Sequence, residues 1–293
     1  MPELLTHLVP VIDADPEGYN QVIAGTRDAR DVADFESYRA QVAAALDVLY
    51  TAARGEGAIT IHTSPTYRTL FLEEPYLGLW RDAAARGVEL LVHPHEDLPG
   101  GSVLVHDAAH MREVIQATCR RLRDAGLPPA GYRGGYFGFD THLVATLEEA
   151  GLAVDFSSAL GIANPARAVE WPADFLTAQP LCPRDYRHAA CDHPRSRVLS
   201  VPLGWDGEVA SLDGHSLFNE RATMDELRRA WRAVAARAHR SGQPQAVNFL
   251  FHSGYMLDAR WRDQAAAFIG EVIEGGAAVV RPTRVPGAGS RAG

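Results

Sequence analysis

Short apolar runs alternate along the chain with longer segments of helical periodicity. The apolar runs predict strands over residues 4–12, 58–62, 88–92, 151–156, 198–203, 246–251 and 277–280. Segments with apolar residues every three or four positions predict helices over residues 34–53, 75–86, 106–125, 141–150, 223–240 and 259–273. Because strands and helices alternate throughout, the pattern predicts an α/β domain with a mostly parallel sheet.

Two stretches interrupt this alternation. Residues 157–197 are irregular and contain several prolines, which predicts a long excursion from the sheet. Residues 281–293 are rich in glycine and proline and predict a disordered tail. Since no repeat or linker divides residues 1–280, we expect them to form a single domain.

Polar side chains collect just after several of the predicted strands, at residues 13–17, 93–97, 133–140 and 252–255. In an α/β barrel the carboxyl ends of the strands share one face, where active sites lie. Periodicity alone does not distinguish a barrel from an open doubly wound sheet. The convergence of these titratable groups at strand ends favours the barrel.

The richest of these clusters follows the strand at 88–92 and contains His93, His95, Glu96 and Asp97. Side chains alternate along a strand, so His93 and His95 should project to the same side. Neutral imidazole and carboxylate oxygen both bind divalent metals. A single cluster of this kind is more often a solvated loop. The interpretation as a metal site therefore depends on the other clusters.

The other candidate residues are each ambiguous when taken alone. Asp13 and Asp15 end the first strand in a sequence typical of a capped turn. Arg133 alone is typical of an ion pair, and His252 after an apolar strand is as often structural as functional. His62, also at a strand end, is interpreted as a structural residue or part of a pocket wall.

Composition narrows the classes of partner. The chain has 28 lysine and arginine residues against 37 aspartate and glutamate residues, a net charge of −9, which disfavours nucleic acid and anionic membrane. No apolar run reaches the roughly 18 residues of a membrane span. The first residues lack a signal peptide's basic start and long apolar region, so a cytoplasmic location is expected if this is the natural start.

The cysteines suggest neither a disulfide framework nor a thiolate metal site. Cys119, Cys182 and Cys191 are scattered and show none of the paired spacing of a thiolate metal site. Cys182 and Cys191 could pair if they meet in space, but reduced thiols are expected in a cytosol.

In the order of these clusters, the sequence resembles the polysaccharide deacetylase family (the NodB homology domain, carbohydrate esterase family 4). The most specific match is YRGGYFGFDTHLVATLEEAGLAVDFSS at residues 132–158, followed by NFLFHSG at 248–254. The sequence departs from the family where Ala14 separates the two acids and where Gly135 replaces a proline. No convincing fourth motif is present, although VPLGWD at 201–206 could stand in for it. The resemblance implies a distorted (β/α) barrel.

The resemblance also implies roles for individual residues. Asp13 would be the catalytic base, Arg133 would keep it ionised, and His252 would be the catalytic acid. A divalent ion, zinc before cobalt, nickel or manganese, would be held by Asp15, His93 and a third ligand. The family spacing favours Asp97 as that ligand and strand geometry favours His95, which we prefer. Residues expected to contact the substrate are Tyr136, Trp205 and Tyr255, with a backbone N–H near Tyr136 assisting at the oxyanion.

The expected activity is therefore metal-dependent removal of an N-acetyl or related acyl group from an amino-sugar-containing small molecule or glycan. The expected partner is a small-molecule or oligosaccharide substrate with an acylated amine, without nucleic acid or membrane. Two alternatives remain open. One is a cyclic amide or ureide hydrolase of the allantoinase-like branch, and the other is a catalytically inactive barrel that serves as a binding module.

Overall fold

The computed structural model describes residues 5–98, 103–189 and 191–288. Its strands are β1 (Thr6–Asp13), β2 (Ala58–Thr63), β3 (Glu89–Pro94), β4 (Gly131–Tyr132), β5 (Val154–Asp155), β6 (Ala163–Asn164), β7 (Val169–Glu170), β8 (Gln179–Pro180), β9 (Leu199–Ser200), β10 (Gln245–His252) and β11 (Ala278–Val279). Its helices are α1 (Tyr19–Ile23), α2 (Ala29–Val32), α3 (Phe35–Thr51), α4 (Tyr76–Ala85), α5 (Ala108–Asp124), α6 (Thr141–Glu149), α7 (Met224–Ser241) and α8 (Ala259–Glu274).

The sheet is curled and almost entirely parallel. Its strand order is β10-β1-β2-β3-β4-β5-β9-β8, with β11 beside β1, and its antiparallel pair is β8–β9. The segment after β9 closes the ring onto β10, because the N–H of Asn248 donates to Pro202 O at 2.8 Å and the N–H of Gly204 donates to Asn248 O at 3.0 Å. Together with the helices packed around it, this arrangement confirms the predicted distorted (β/α) barrel.

Alternation along the strands separates two apolar cores. In β1, Leu8 and Ile12 face the helices, whereas Val9 and Val11 join a smaller cluster inside the barrel. Asp13 has the same parity as Val9 and Val11, so its side chain is directed into the barrel mouth. A fully buried strand core thus positions a polar group at its carboxyl end.

The helix that leads out of the His93 strand begins as its sequence predicts. Asp107 caps α5, and its carboxylate accepts a hydrogen bond from the N–H of His110 at 3.0 Å. Such a cap satisfies one of the free N–H groups of the first turn. The helix therefore begins at a fixed point beyond the functional end of β3.

The excursion at 157–197 has its own small core. Trp171 and Tyr186 pack against Phe139, with ring centroids 5.3 and 5.1 Å from it, so these rings serve packing. Cys182 and Cys191 form a disulfide with Cα atoms 5.5 Å apart, which corrects the expectation of reduced thiols. The excursion folds back on itself and brings the two cysteines together.

The tail also departs from its prediction. Residues 281–288 pack on the barrel, where the guanidinium of Arg281 donates twice to Glu56 at 3.0 and 3.1 Å. Val285 is buried and joins the core inside the barrel, and burying an apolar side chain of this size contributes about 1.5–3 kcal/mol. Composition alone did not reveal this contact. Residues 289–293 lie outside the described residues.

No helix within residues 5–98, 103–189 and 191–288 combines the length and apolar character that crossing a membrane requires.

Candidate active site

Strand register brings the predicted site residues together. Asp13 at the end of β1 is paired with His252 at the end of β10, and His62 in β2 is paired with His93 in β3. Arg133 follows β4, whose Tyr132 is paired with Val92 of β3. Because the strands are parallel, residues far apart in the chain meet at one mouth of the barrel.

Five side chains at this mouth, which we call the barrel cluster, point their polar atoms at one another: Asp13, Asp15, His62, His93 and His95. The Nε2 atoms of His93 and His95 lie 3.0 Å apart. Oδ2 of Asp15 is 2.9 Å from Nε2 of His95, and its Oδ1 is 3.3 Å from Nε2 of His93. Ligand atoms around one zinc ion lie about 3.3 Å apart in a tetrahedral site. The spacing therefore suits a divalent cation.

The tautomer of His93 fits the same interpretation. Its Nδ1 lies 2.7 Å from the carbonyl oxygen of Arg133, which can only accept a hydrogen bond. The network thus assigns one proton to Nδ1, so that Nε2 can bind a metal once it gives up its own proton. Metal-binding histidines commonly use the other ring nitrogen in this way.

Asp13 is held between donors and is only 4% exposed. The hydroxyl of Thr60 donates to its Oδ1 at 3.1 Å, and Nε of Arg133 donates to its Oδ2 at 3.1 Å. Burial raises the pKa of Asp13, but the charges of His93 and Arg133 outweigh burial and hold the pKa below its ordinary value. The carboxylate is therefore ionised and oriented.

The histidines of the barrel cluster differ in their affinity for protons. Burial lowers the pKa of His93, but Asp13 and Asp15 outweigh burial and raise it to about 10. The pKa of His95 is also raised, because Asp15 outweighs the effect of burial. Burial lowers the pKa of His62. Without a metal, a proton on His93 balances the carboxylate charge, so a metal would compete with protons.

Asp97 stands behind His95, on the far side from the cluster. Its Oδ2 is 3.5 Å from Nδ1 of His95 and accepts a hydrogen bond from the hydroxyl of Tyr19 at 3.3 Å. The guanidinium of Arg167, from the excursion, pairs with its other oxygen and lies over the ring of Tyr136 at 3.9 Å. A carboxylate already neutralised by arginine is a poor metal ligand. This geometry favours His95 as the third ligand.

His252 lies on the opposite side of Asp13, with Nε2 3.8 Å from Oδ2 of Asp13. Its ring stacks on Phe218 with centroids 5.2 Å apart. Its backbone N–H donates to Oε1 of Glu220 at 2.8 Å, and its Nδ1 is 3.7 Å from Oε2. Burial lowers the pKa of His252, but the carboxylates of Glu220 and Asp13 outweigh burial and raise it.

Glu220 and His62 belong to the site, although the sequence did not place them there. Glu220 lies in a short 3-10 turn, Asn219–Arg221, outside every recognisable motif. His62, interpreted from sequence as a structural residue or part of a pocket wall, has Nδ1 2.6 Å from Oδ1 of Asp15. The sequence offered a signal for it, because His62 is the penultimate residue of β2 as His93 is of β3.

The residues predicted to contact substrate occupy different surroundings. Tyr136 packs against His95 with centroids 4.7 Å apart and adopts a left-handed φ of 53°, a conformation common at functional sites. Tyr255 is 53% exposed, with its ring 6.3 Å from that of His252. Trp205 is 7% exposed, and its indole N–H donates to Val209 O at 2.7 Å. Its contacts give no support to a substrate role.

In the segment VPLGWD at 201–206, Asp206 accepts hydrogen bonds from the ring of His215 at 2.8 Å and from Nε of Arg229 at 3.3 Å. Glu220 supplies the carboxylate beside His252.

Comparisons with known proteins agree with the fold. No family model and no curated protein sequence matches the chain. A Mycobacterium smegmatis structure assigned to the polysaccharide deacetylases superposes with a TM-score of 0.61 at 16% identity, covering 96% of this chain and 88% of that one. A Pseudomonas aeruginosa PAO1 structure with the same assignment gives 0.60 at 14% identity, covering 95% and 88%. Puue allantoinase gives 0.61 at 16% identity, covering 98% and 91%. This chain shares the deacetylase-type barrel with these proteins.

Proposed function

We propose that this protein is a metal-dependent hydrolase that removes an N-acetyl or related acyl group from an amino-sugar-containing small molecule or glycan. The proposal rests on one observation above all. The ligand atoms of Asp15, His93 and His95 each lie within 3.3 Å of another of the three residues. The ionised Asp13 lies beside them, and His252 lies on the far side of Asp13.

The chemistry divides between the metal and the side chains. A divalent ion held by Asp15, His93 and His95 would lower the pKa of a water molecule and polarise the acyl carbonyl. Asp13 takes the proton from the water, since its low pKa keeps it ionised and Thr60 and Arg133 fix its orientation. His252 donates a proton to the leaving amine, because the carboxylates of Glu220 and Asp13 raise its pKa and so favour the protonated imidazole.

A second hydrolase activity has a specific observation in its favour. Puue allantoinase superposes with the same TM-score, 0.61, as the Mycobacterium smegmatis structure. The same base, acid and metal residues could direct water at a cyclic amide or ureide. The two candidates differ in the leaving group, which stays attached to the product when a ring opens.

The test is a substrate panel with a matched pair of inactivating treatments. Release of amine from N-acetylated amino sugars and loss of cyclic ureides are followed before and after chelation, and for Asp13→Asn. We expect chelation to abolish activity, zinc or cobalt to restore it, and Asp13→Asn to lose roughly 10²–10⁴-fold in turnover while it retains metal.

Full activity in the metal-free protein would contradict the proposed mechanism. Turnover of ureides without amine release from sugars would favour the second candidate. A folded protein that neither binds metal nor turns over any member of the panel would favour an inactive binding barrel.

A further inference from the structure

His62 is the most completely buried histidine of the barrel cluster, and it has one polar contact. Its side chain is 0% exposed and its Nδ1 lies 2.6 Å from Oδ1 of Asp15. Among the described residues, its Nε2 has no hydrogen-bond partner. A buried imidazole with a single polar contact is held there for that contact, since burying the second nitrogen without a partner has a cost.

Aromatic side chains explain why Nε2 has no partner. Tyr19 packs edge-on against the ring of His62 with centroids 4.6 Å apart, and Tyr67 and Phe71 pack in the same manner at 6.0 and 5.7 Å. On its remaining side the ring stacks on His95 at 5.0 Å. These contacts leave the ring no freedom to turn, so Nδ1 stays aimed at Asp15.

The position of the proton follows from this environment. A ring with its proton on Nε2 would bury an N–H without an acceptor and turn a lone pair toward a carboxylate oxygen. A ring with its proton on Nδ1 donates to that oxygen and leaves only an unused acceptor, which is the smaller penalty. The network therefore assigns the Nδ1–H tautomer.

We propose that His62 is a positioning residue whose Nδ1–H donates to Asp15 and thereby fixes that carboxylate for a divalent cation. The inference rests on the proposed function, because it concerns the same metal site. With Oδ1 engaged by His62, Oδ2 of Asp15 stays 2.9 Å from Nε2 of His95. Oδ1 lies between His62 and His93, 3.3 Å from Nε2 of His93, so the carboxylate is fixed with its second oxygen beside His95.

A direct role for His62 as a metal ligand is the competing arrangement. It would require the proton on Nε2, where no acceptor lies within the described part of the chain. It would also give the site an additional protein ligand where a catalytic site keeps a position open. A hydrogen bond from Nδ1–H of His62 to the carboxylate of Asp15 avoids both difficulties.

The experiment compares His62→Asn with His62→Leu. These two side chains have almost the same shape, and the amide nitrogen of asparagine occupies the position of Nδ1. Zinc affinity is measured for the parent and both variants by competition with a chromophoric chelator, and the visible spectrum of each cobalt-loaded protein is recorded. We expect His62→Leu to weaken zinc binding by roughly 10–100-fold, as is typical when a ligand loses its supporting hydrogen bond.

His62→Asn should bind zinc within a few-fold of the parent, with an unchanged cobalt spectrum. Equal zinc affinity in all three proteins would overturn the inference while leaving the proposed function intact. An equal loss in Asn and Leu with an altered cobalt spectrum would make His62 a ligand and also overturn it. A folded parent that binds neither zinc nor cobalt would refute the proposed function itself, and the inference with it.

Discussion

Within the described residues, two groups of carboxylate and imidazole side chains meet the distance requirements of a metal site, and they differ in what surrounds them. One is the barrel cluster at the strand ends. The other, which we call the loop cluster, consists of Asp206, Glu208 and His215 in the segment before α7. In the loop cluster, Nε of Arg229 lies 3.3 Å from Asp206 and already supplies the positive charge. Glu208 is exposed and contributes its backbone N–H to Asp206 at 2.9 Å.

In the barrel cluster, different groups balance the charge of the ligand carboxylate Asp15. Asp15 is in contact with the rings of His62, His93 and His95, and its positive neighbours are imidazoles that can give up their protons. A guanidinium stays charged at any working pH, whereas an imidazole can exchange its proton for a metal. Residue types alone therefore do not define a metal site. The two clusters differ in where the arginine lies: Arg229 pairs with Asp206, a would-be ligand, whereas Arg133 pairs with Asp13, the proposed base, and leaves Asp15 to the imidazoles.

The sharpest test of this comparison is metal content after removal of one side chain from each group. We expect His95→Ala to weaken zinc affinity by well over 100-fold, because it removes a ligand, and Asp97→Ala by roughly 10–100-fold, because it removes support from His95. His215→Ala, the matched control in the loop cluster, should bind zinc as the parent does. Chelator competition provides the measurement. If Asp97→Ala loses zinc and His95→Ala keeps it, the assignment of the third ligand is reversed.

A second test compares the two imidazole–carboxylate pairs, Glu220–His252 and Asp206–His215. Burial lowers the pKa of His252 and Glu220 raises it, so Glu220→Gln should move the alkaline limb of kcat/KM to lower pH. At acidic pH, where His252 is protonated in both proteins, the rates should converge. His215→Asn should leave the profile unchanged. A Glu220→Gln profile that superposes on the parent's would show that His252 is not the titrating acid.

The smallest effect concerns a buried carboxylate that has neither a metal nor a paired guanidinium. Asp155 accepts hydrogen bonds from the hydroxyls of Ser157 and Ser200 at 2.6 and 2.8 Å. Burial raises the pKa of Asp155 to about 6, although these hydrogen bonds oppose the shift. Its stabilising contribution is therefore complete below the unfolded pKa of about 3.9 and is lost as pH rises through about 6.

Asp155→Asn should remove this dependence. Between pH 4.5 and 8 the parent's free energy of unfolding should fall by about 2 kcal/mol relative to the variant's, since one unit of pKa corresponds to about 1.4 kcal/mol. Denaturant titrations of both proteins at the two pH values measure the difference. Parallel pH dependence in the two proteins would mean that Asp155 is already ionised when folded.

Much of the fold could be predicted from local pattern. The helix predicted over 34–53 is observed as Phe35–Thr51, and the strand predicted over 246–251 as Gln245–His252. Periodicity reports such elements because each buries one face or one run of its own residues. Side-chain alternation also anticipated that His93 and His95 would meet, and their Nε2 atoms lie 3.0 Å apart.

Local pattern did not reveal contacts made between distant elements. Glu220 reaches His252 from a turn with no regular pattern, and Arg167 reaches Asp97 from the irregular excursion. Val285 is buried in the barrel although its neighbours are typical of a disordered tail. Each of these contacts depends on where another part of the chain passes.

The sequence by itself thus determined the longer strands, the longer helices and the polar residues at the strand ends, because these depend on the periodicity of neighbouring residues. Only the tertiary structure decided which of those polar groups lie close enough to neutralise one another's charge. Strand register paired Asp13 with His252 and His62 with His93, and the excursion delivered Arg167 to Asp97. A metal site requires lone pairs that converge without a fixed cation between them, and that condition depends on three-dimensional distances between elements distant in the sequence.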